Sequence, residues 1–181
     1  MTNETGRIVL REPEDADVET LRAYHRRNAE RFARWDAVPG DEPEAHREWI
    51  RSHHRERKRG VPVAFLAFAR DGGALVGVTA LSGFGFDPPS AMISYSVDAA
   101  YEGRGYAFEM VSGMLRHAFD ALDLASVTAS VRVGNERSLK LLARLGFTVI
   151  ARSPAIPGLE HLFHPHIVAM LERARFAGVE Q

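Results

Sequence analysis

Hydrophobic and polar positions along this chain follow two periodicities, and each predicts one type of element. Apolar residues spaced three or four positions apart predict helices, whereas alternating or short continuous apolar runs predict strands. The helical spacing is found in four segments, 14–32, 44–58, 104–122 and 135–147. The strand patterns are found in six segments, 7–13, 61–70, 74–83, 91–98, 126–133 and 164–172.

The third predicted helix has the widest apolar stripe. Its side chains form two rows of period four, which predicts a face buried against a sheet. The rows are Tyr106, Met110, Met114, Ala118 and Leu122, and beside them Ala107, Val111, Leu115 and Phe119. The strand that follows this helix alternates, with Val127, Ala129, Val131 and Val133 expected on one face.

The order of the elements decides between fold classes. One strand and two helices come first, then three strands, and Asp71-Gly72-Gly73 predicts a hairpin between two of these strands. A helix, a strand, a helix and then strands complete the order. Because helices and strands do not alternate throughout, the pattern predicts a mixed α/β fold with an antiparallel first half, not a doubly wound parallel sheet. The 181 residues predict one domain, 1–181.

Composition and charge exclude several classes of function. The net charge is −1, from 23 Lys and Arg against 24 Asp and Glu, which argues against direct nucleic-acid or anionic-membrane binding. The absence of cysteine excludes disulfides, thiolate zinc sites and a cysteine nucleophile. The polar N-terminal segment carries no signal-peptide core, and no apolar run approaches the roughly 20 residues of a membrane span. We therefore expect a cytoplasmic protein.

A pair of glycines stands where the third predicted helix begins. Gly103 and Gly105 flank Arg104 between a strand and that helix. A helix start has unpaired N–H groups and a partial positive charge, and glycine lets a ligand approach the backbone, so this loop could cradle a phosphate. Phe108 occupies the position of the third glycine of a dinucleotide fingerprint, and no P-loop Lys-Ser/Thr follows. From these residues alone, a plain turn and a phosphate cradle are equally compatible.

The next strand-and-helix unit adds two polar side chains. Asn135 is a natural helix cap, and Ser138 lies three residues further on, so both project from one side of the first turn. We expect this amide and hydroxyl at the end of a strand, next to the glycine loop.

Two long stretches together resemble a known superfamily. The segments "SVDAAYEGRGYAFEMVSGMLRHAF" and "VTASVRVGNERSLKLLARLGF" are similar to the GNAT superfamily of acyl-CoA-dependent N-acetyltransferases. Within it, "LREPEDAD", "RRNAERFARWDAVPGDEP" and "GYAFEM" resemble the RimJ/RimL-type ribosomal-protein N-terminal acetyltransferases. The likeness runs from about 7 to 172 and leaves 173–181 as a tail. It implies a single-domain GNAT fold, in which a mostly antiparallel sheet splayed between two parallel strands is flanked by about four helices.

The resemblance implies a reaction and its partners. Acetyl-CoA would be the cosubstrate, without a metal, and its acetyl group would pass directly to a primary amine. The implied acceptor is the N-terminal amine of a protein such as a ribosomal protein. The alternatives are a small-molecule amine such as an antibiotic or polyamine, and a CoA-binding module without chemistry. A monomer and a homodimer both fit the resemblance.

The resemblance also assigns roles to residues. Backbone groups of Ser96, Val97 and Asp98 would pair with the pantetheine arm. The loop would hold the pyrophosphate through Gly103, Arg104, Gly105, Tyr106 and Ala107. Asn135 would fix the arm or a water. Ser138 would act as general acid toward the departing thiolate, which develops negative charge.

The general base of such a reaction is open between three residues. Glu160, which precedes the last strand, is one candidate, and His164 and His166 are the others. His161, His164 and His166 have no clear carboxylate partner, so no metal site is predicted. Glu109 is expected to be a helix-surface residue or to support the site indirectly.

The sequence departs from the family pattern in two places. Ala100 stands two residues before the Glu-Gly pair, where Gln or Arg is usual, so backbone groups would carry more of the phosphate binding. His164-Pro165-His166 stands where an Arg-Asp-His type of triplet is common. The second departure removes an acidic residue and leaves the acceptor specificity open.

Overall fold

Four helices and eight strands are formed by residues 2–35, 39–58, 60–154 and 164–176, which a computed structural model of the chain describes. The helices are α1 (Val18–Phe32), α2 (Pro43–Arg55), α3 (Tyr106–Asp120) and α4 (Glu136–Arg144). The strands are β1 (Thr2–Thr5), β2 (Ile8–Arg11), β3 (Ala64–Ala69), β4 (Leu75–Phe86), β5 (Pro89–Val97), β6 (Ser126–Arg132), β7 (Thr148–Ser153) and β8 (His166–Glu172).

All four predicted helices and all six bounded strands are present, so the mixed α/β prediction is confirmed. Two edge strands, β1 and β7, have no counterpart among the bounded predictions. None of the helices in the described ranges is long and apolar enough to cross a bilayer.

The sheet order is β1-β2-β3-β4-β5-β6-β8-β7. Strands β1 to β4 pair antiparallel in sequence, as do β6 with β8 and β8 with β7. Strands β5 and β6 are parallel, with three residue pairs in register, Ser90–Ser126 to Met92–Thr128. The sheet is therefore mostly antiparallel with one parallel pair, as the resemblance implied.

The chain is organised as two compact units. The first unit contains the described residues within 1–80 and 95–114, and the second contains those within 81–94 and 115–181. Strands β4 and β5 and helix α3 each run from one unit into the other.

The core of the first unit forms where α1 and α2 cover the sheet. Helix α1 contributes Val18, Leu21 and Tyr24, at the spacing of one helix face, and α2 contributes the fully buried Ile50. Leu66, Leu75 and Val78 supply the strand side of this cluster.

The second unit has its core along β6 and β8. Alternation along β6 buries Val127, Ala129 and Val131, which pair with Leu171, Ala169 and Ile167 of β8. The expectation that Val133 shares this face is wrong, because the strand ends at Arg132 and the Val133 side chain is 49% exposed.

Two histidines join α1 to α2 within the first unit. The Nδ1 of His46 lies 3.1 Å from the Glu42 carbonyl oxygen, and its Nε2 lies 3.0 Å from the His25 Nδ1. The carbonyl can only accept, so His46 carries its proton on Nδ1, and in the neutral pair His25 donates to His46. Burial, and then the neighbouring His46, lower the pKa of His25 to about 4 from its ordinary value of 6.5.

This histidine pair predicts a loss of stability in mild acid. Between pH 6.5 and 4 the unfolded chain binds a proton at His25 more readily than the folded chain, so acidification over this window favours unfolding. Well above pH 6.5, His25 is neutral in the folded and unfolded states, so it does not make the free energy of unfolding depend on pH. His25→Gln should therefore lose less free energy of unfolding between pH 6.5 and 4 than the unmodified protein, as measured by urea titration at each pH.

Arg26→Gln is the matched control, because Arg26 lies on the same helix, is exposed and carries no imidazole. Its pH profile should follow that of the unmodified protein. Equal slopes for His25→Gln and Arg26→Gln would contradict the assignment.

Candidate functional site

The glycine loop, residues 102–105, adopts a backbone conformation that requires glycine. The φ angles are +70° at Gly103 and +85° at Gly105, in the left-handed region that other residues rarely adopt. A 3-10 turn over Ala99–Tyr101 precedes the loop, and α3 begins directly after it at Tyr106. The loop therefore connects the 3-10 turn after β5 to the start of α3 through two left-handed glycines.

This geometry leaves a row of backbone donors open. At ordinary hydrogen-bond distances and angles, no described residue accepts from the amide N–H groups from Gly103 to Ala107. The first hydrogen bond of the helix runs from the Glu109 N–H to the Gly105 carbonyl at 3.2 Å. Gly103, Arg104 and Gly105 are also exposed. Consecutive free amides at a helix start form an anion-binding site, so the geometry favours the cradle over the plain turn.

Backbone groups at the end of β5 face in two directions. The Asp98 N–H donates to the Val76 carbonyl at 2.8 Å, and the Ser96 carbonyl approaches Gly77 so closely that a Cβ there would lie 2.6 Å from the oxygen. Both groups therefore face β4. By the alternation of a strand, the groups of Val97 face the other edge.

Val97 is consequently the residue of the Ser96–Asp98 segment that has an outward-facing backbone donor. Its carbonyl accepts a hydrogen bond from Arg31. The Ser96 hydroxyl is bonded to the Tyr24 hydroxyl at 2.8 Å. Burial raises the pKa of Tyr24, so this phenol stays protonated.

A buried carboxylate anchors this strand end to α1. Asp98 is 4% exposed, and its carboxylate accepts from Arg27, from the Asn28 side chain at 3.0 Å and from the Ala100 N–H at 2.9 Å. Burial raises the pKa of Asp98, but these hydrogen bonds outweigh it and the net shift is downward. Asp98 is therefore a buried, ionised and fully partnered group.

Helix α1 supports the loop at further points. The Asn28 side-chain oxygen accepts from the Ala99 N–H at 3.1 Å and from Arg31 at 2.8 Å. Arg31 also forms an ion pair with Glu102, the residue before Gly103. The sequence analysis did not identify Asn28 and Arg31, although their spacing from Tyr24 indicates that they share its helix face. Asn28 and Arg31 lie four and seven residues after the buried Tyr24, on the same helix face.

Glu109 is not a free surface residue of α3. Its side chain is 14% exposed and forms an ion pair with Arg7 at 3.1 Å. Sequence reasoning did not single out Arg7, which lies 102 positions away along the chain.

In the second unit, Asn135 and Ser138 lie together at the start of α4. The Asn135 side-chain oxygen accepts from the Ser138 N–H at 3.2 Å, which confirms Asn135 as the helix cap. Both residues are half-buried. This cap uses only the backbone of Ser138.

Of the three candidates for a general base, His164 and His166 lie within the described residues, and His164 is half-buried just before β8. Glu160 lies outside the described residues. His166 opens β8, and its Nδ1 lies 2.6 Å from the His164 carbonyl oxygen, so Nδ1 carries the proton and Nε2 of the neutral ring is an acceptor. The described residues contain no group of three or more His, Cys, Asp or Glu side chains that could hold a metal ion.

Comparison with known proteins supplies the identity. Residues 7–148 match the profile of the Acetyltransferase (GNAT) domain. The chain is 26% identical over 147 residues to the [ribosomal protein uS5]-alanine N-acetyltransferase of Escherichia coli, covering 79% of this chain and 76% of that protein. It is 31% identical over 137 residues to N-alpha-acetyltransferase RimI of Mycobacterium tuberculosis, covering 74% and 80%.

A solved structure agrees at the level of the fold. The crystal structure of a ribosomal-protein-S5-alanine acetyltransferase from Vibrio fischeri superimposes with a TM-score of 0.86 at 21% identity, covering 97% of this chain and 98% of that one. The glycine loop, the order of the strands and these matches lead to one conclusion: the chain belongs to the GNAT family of acetyltransferases and is an N-acetyltransferase that uses acetyl-CoA.

Proposed function

We propose that the chain transfers the acetyl group of acetyl-CoA to the N-terminal amine of a protein, and that ribosomal proteins are the first class to test. The observation that carries this proposal is the similarity, over 79% of the chain, to an enzyme named as the alanine N-acetyltransferase of ribosomal protein uS5. The similarity to N-alpha-acetyltransferase RimI points to the same kind of acceptor.

For the donor, we assign the diphosphate to the glycine loop and the first turn of α3, from Gly103 to Ala107. The open amides of this segment support the assignment, because a diphosphate supplies the acceptors that the chain itself does not. The outward N–H of Val97 suits a carbonyl of the pantetheine arm. Ser96 and Asp98 support this strand from behind, through Tyr24 and through α1.

The chemistry needs one proton donor and one proton acceptor. The amine nitrogen attacks the thioester carbonyl, a C–N bond forms, and the C–S bond breaks to release CoA. We assign Ser138 as the group that protonates or hydrogen-bonds the leaving sulfur, and Asn135 as the group that orients the pantetheine arm or a water. The proton lost by the amine passes to a base.

Glu160, His164 and His166 remain the candidates for this base. The tautomer of His166 suits the role, because its Nδ1–H is bonded to a carbonyl and its Nε2 carries the lone pair that can accept a proton. An imidazole held by one nitrogen keeps its ring orientation while the other nitrogen reacts.

We further propose that 1–181 acts as one domain with a core of about 7–172, as a monomer or homodimer. Acetyl-CoA and newly made protein N-termini meet in the cytoplasm, where we place the reaction. A small amine such as an antibiotic or polyamine is the competing acceptor, since the triplet at His164-Pro165-His166 lacks an acidic residue.

The acceptor is tested by thiol release from acetyl-CoA in the presence of peptides and small amines. We expect release with peptides that begin with alanine, because the amine of a protein N-terminus is the proposed nucleophile. The same peptides with a blocked N-terminus and an internal lysine are the control and should give only background release. Turnover with polyamines or aminoglycosides, and none with the free peptides, would contradict the proposal.

The acid role of Ser138 is tested by Ser138→Ala. We expect kcat to fall by on the order of 10²-fold, with little change in KM for acetyl-CoA, because a general acid acts in the transition state. The cap at Asn135 should survive, since it uses the Ser138 backbone. Ser130→Ala, an exposed position on β6, is the matched control. Equal kcat values for the two variants would remove Ser138 from the mechanism.

A further inference from the structure

We propose that Arg7 is a positioning residue for the donor diphosphate. Arg7 holds the peptide group between Arg104 and Gly105 so that the Gly105 N–H faces the ligand. This inference rests on the proposed use of the glycine loop for the diphosphate. It assigns a part in donor binding to Arg7, which directly precedes β2, and to Glu109 of α3.

The contact with the loop is direct. The Arg7 Nη1 donates to the Arg104 carbonyl oxygen at 2.9 Å. A peptide group is planar and trans, so its C=O and the following N–H point in opposite directions. Since the Arg104 carbonyl is drawn toward Arg7, the Gly105 N–H is directed away from it. That N–H belongs to the row of amides that have no acceptor in the described part of the chain.

Glu109 fixes the position of the guanidinium. The Arg7 Nε donates to one carboxylate oxygen of Glu109 at 3.1 Å, and Nη2 lies 3.1 Å from the same oxygen. The other oxygen accepts from the backbone N–H of Arg7 at 2.5 Å and from that of Ile8 at 3.3 Å. The guanidinium also lies 4.4 Å from the centre of the Tyr106 ring. Arg7 is thus held by several contacts, although 53% of its side chain is exposed.

Gly105 is the residue that lets this arrangement form. A Cβ at this position would lie 3.2 Å from the Arg7 Nη2, and φ is +85°. A side chain at 105 would therefore strain the backbone and also press on the guanidinium.

The pair also resolves a conflict of charge. Glu109 lies in the first turn of α3, where the helix dipole would attract the diphosphate and an unpaired carboxylate would repel it. Arg7 neutralises this carboxylate without occupying the open amides.

The test compares the affinity for CoA of four variants by isothermal titration calorimetry. Arg7→Met should weaken CoA binding by about tenfold, the loss of one charge-assisted hydrogen bond. Arg7→Lys should weaken it severalfold, because one ammonium cannot bond the Arg104 carbonyl and the Glu109 carboxylate oxygen together as three nitrogens of the planar guanidinium do. Arg55→Met removes an arginine of similar exposure, paired with Glu48 on α2, and should change the affinity less than twofold. Gly103→Val tests the loop itself.

Pantetheine, which has no diphosphate, separates positioning from general damage. Its affinity, measured by competition against CoA, should be unchanged in the Arg7 variants. An equal loss for pantetheine and CoA would overturn the positioning role. Wild-type CoA affinity in Arg7→Lys would also overturn it, since charge alone would then suffice. Arg7→Lys decides the question alone if Arg7→Met does not fold.

Gly103→Val separates this inference from the proposed donor site. If Gly103→Val weakens CoA binding and the Arg7 variants do not, the inference fails and the donor site stands. If Gly103→Val binds CoA like the unmodified protein, the donor site fails and the inference fails with it. Because only CoA and pantetheine are bound, neither result depends on the acceptor.

Discussion

The first unit depends on one buried charge, the Asp98 carboxylate at the end of β5. An ionised carboxylate that is almost fully removed from water is very unfavourable unless hydrogen bonds and an opposite charge compensate it. Arg27, Asn28 and the Ala100 N–H provide that compensation. Since these partners lie on α1 and on the turn after β5, the strand end, the turn and the helix take up one arrangement in which the charge is satisfied.

The conformation of the glycine loop depends on that arrangement. On its N-terminal side, Arg31 pairs with Glu102 and also caps the Val97 carbonyl, and on its C-terminal side Arg7 bonds the Arg104 carbonyl. The carbonyls of Val97 and Arg104 and the side chain of Glu102 are thus partnered, whereas the amides of the loop are left open. Open donors fixed before a ligand arrives need little reorganisation on binding, which is the physical basis of a preorganised anion site.

How much of the fold and of the candidate site could be predicted depends on how far apart along the chain the contacting residues lie. The α3 stripe, the Asn135 cap and the glycine loop were identified because each signal is contained within a few residues. The contacts from Arg7 to Glu109 and from Asn28 to Asp98 join residues 102 and 70 positions apart, and no local periodicity reports such pairs. The first strand was missed because Thr2–Thr5 is polar, and Val133 was assigned to the core because alternation does not show where a strand stops.

The contacts around Asp98 and Arg104 explain how the chain can have alanine at position 100, where it departs from the family pattern. The resemblance implies a long polar side chain at this position, but here the residue contributes its backbone. The Ala100 N–H completes the shell of Asp98 at 2.9 Å, and its carbonyl lies 3.4 Å from the Arg104 Nη1. Position 100 can therefore shape the loop without a side chain, which agrees with a donor site built from amides. Backbone recognition of the proposed kind would tolerate side-chain change, which fits a chain that is 26–31% identical to the relatives described above.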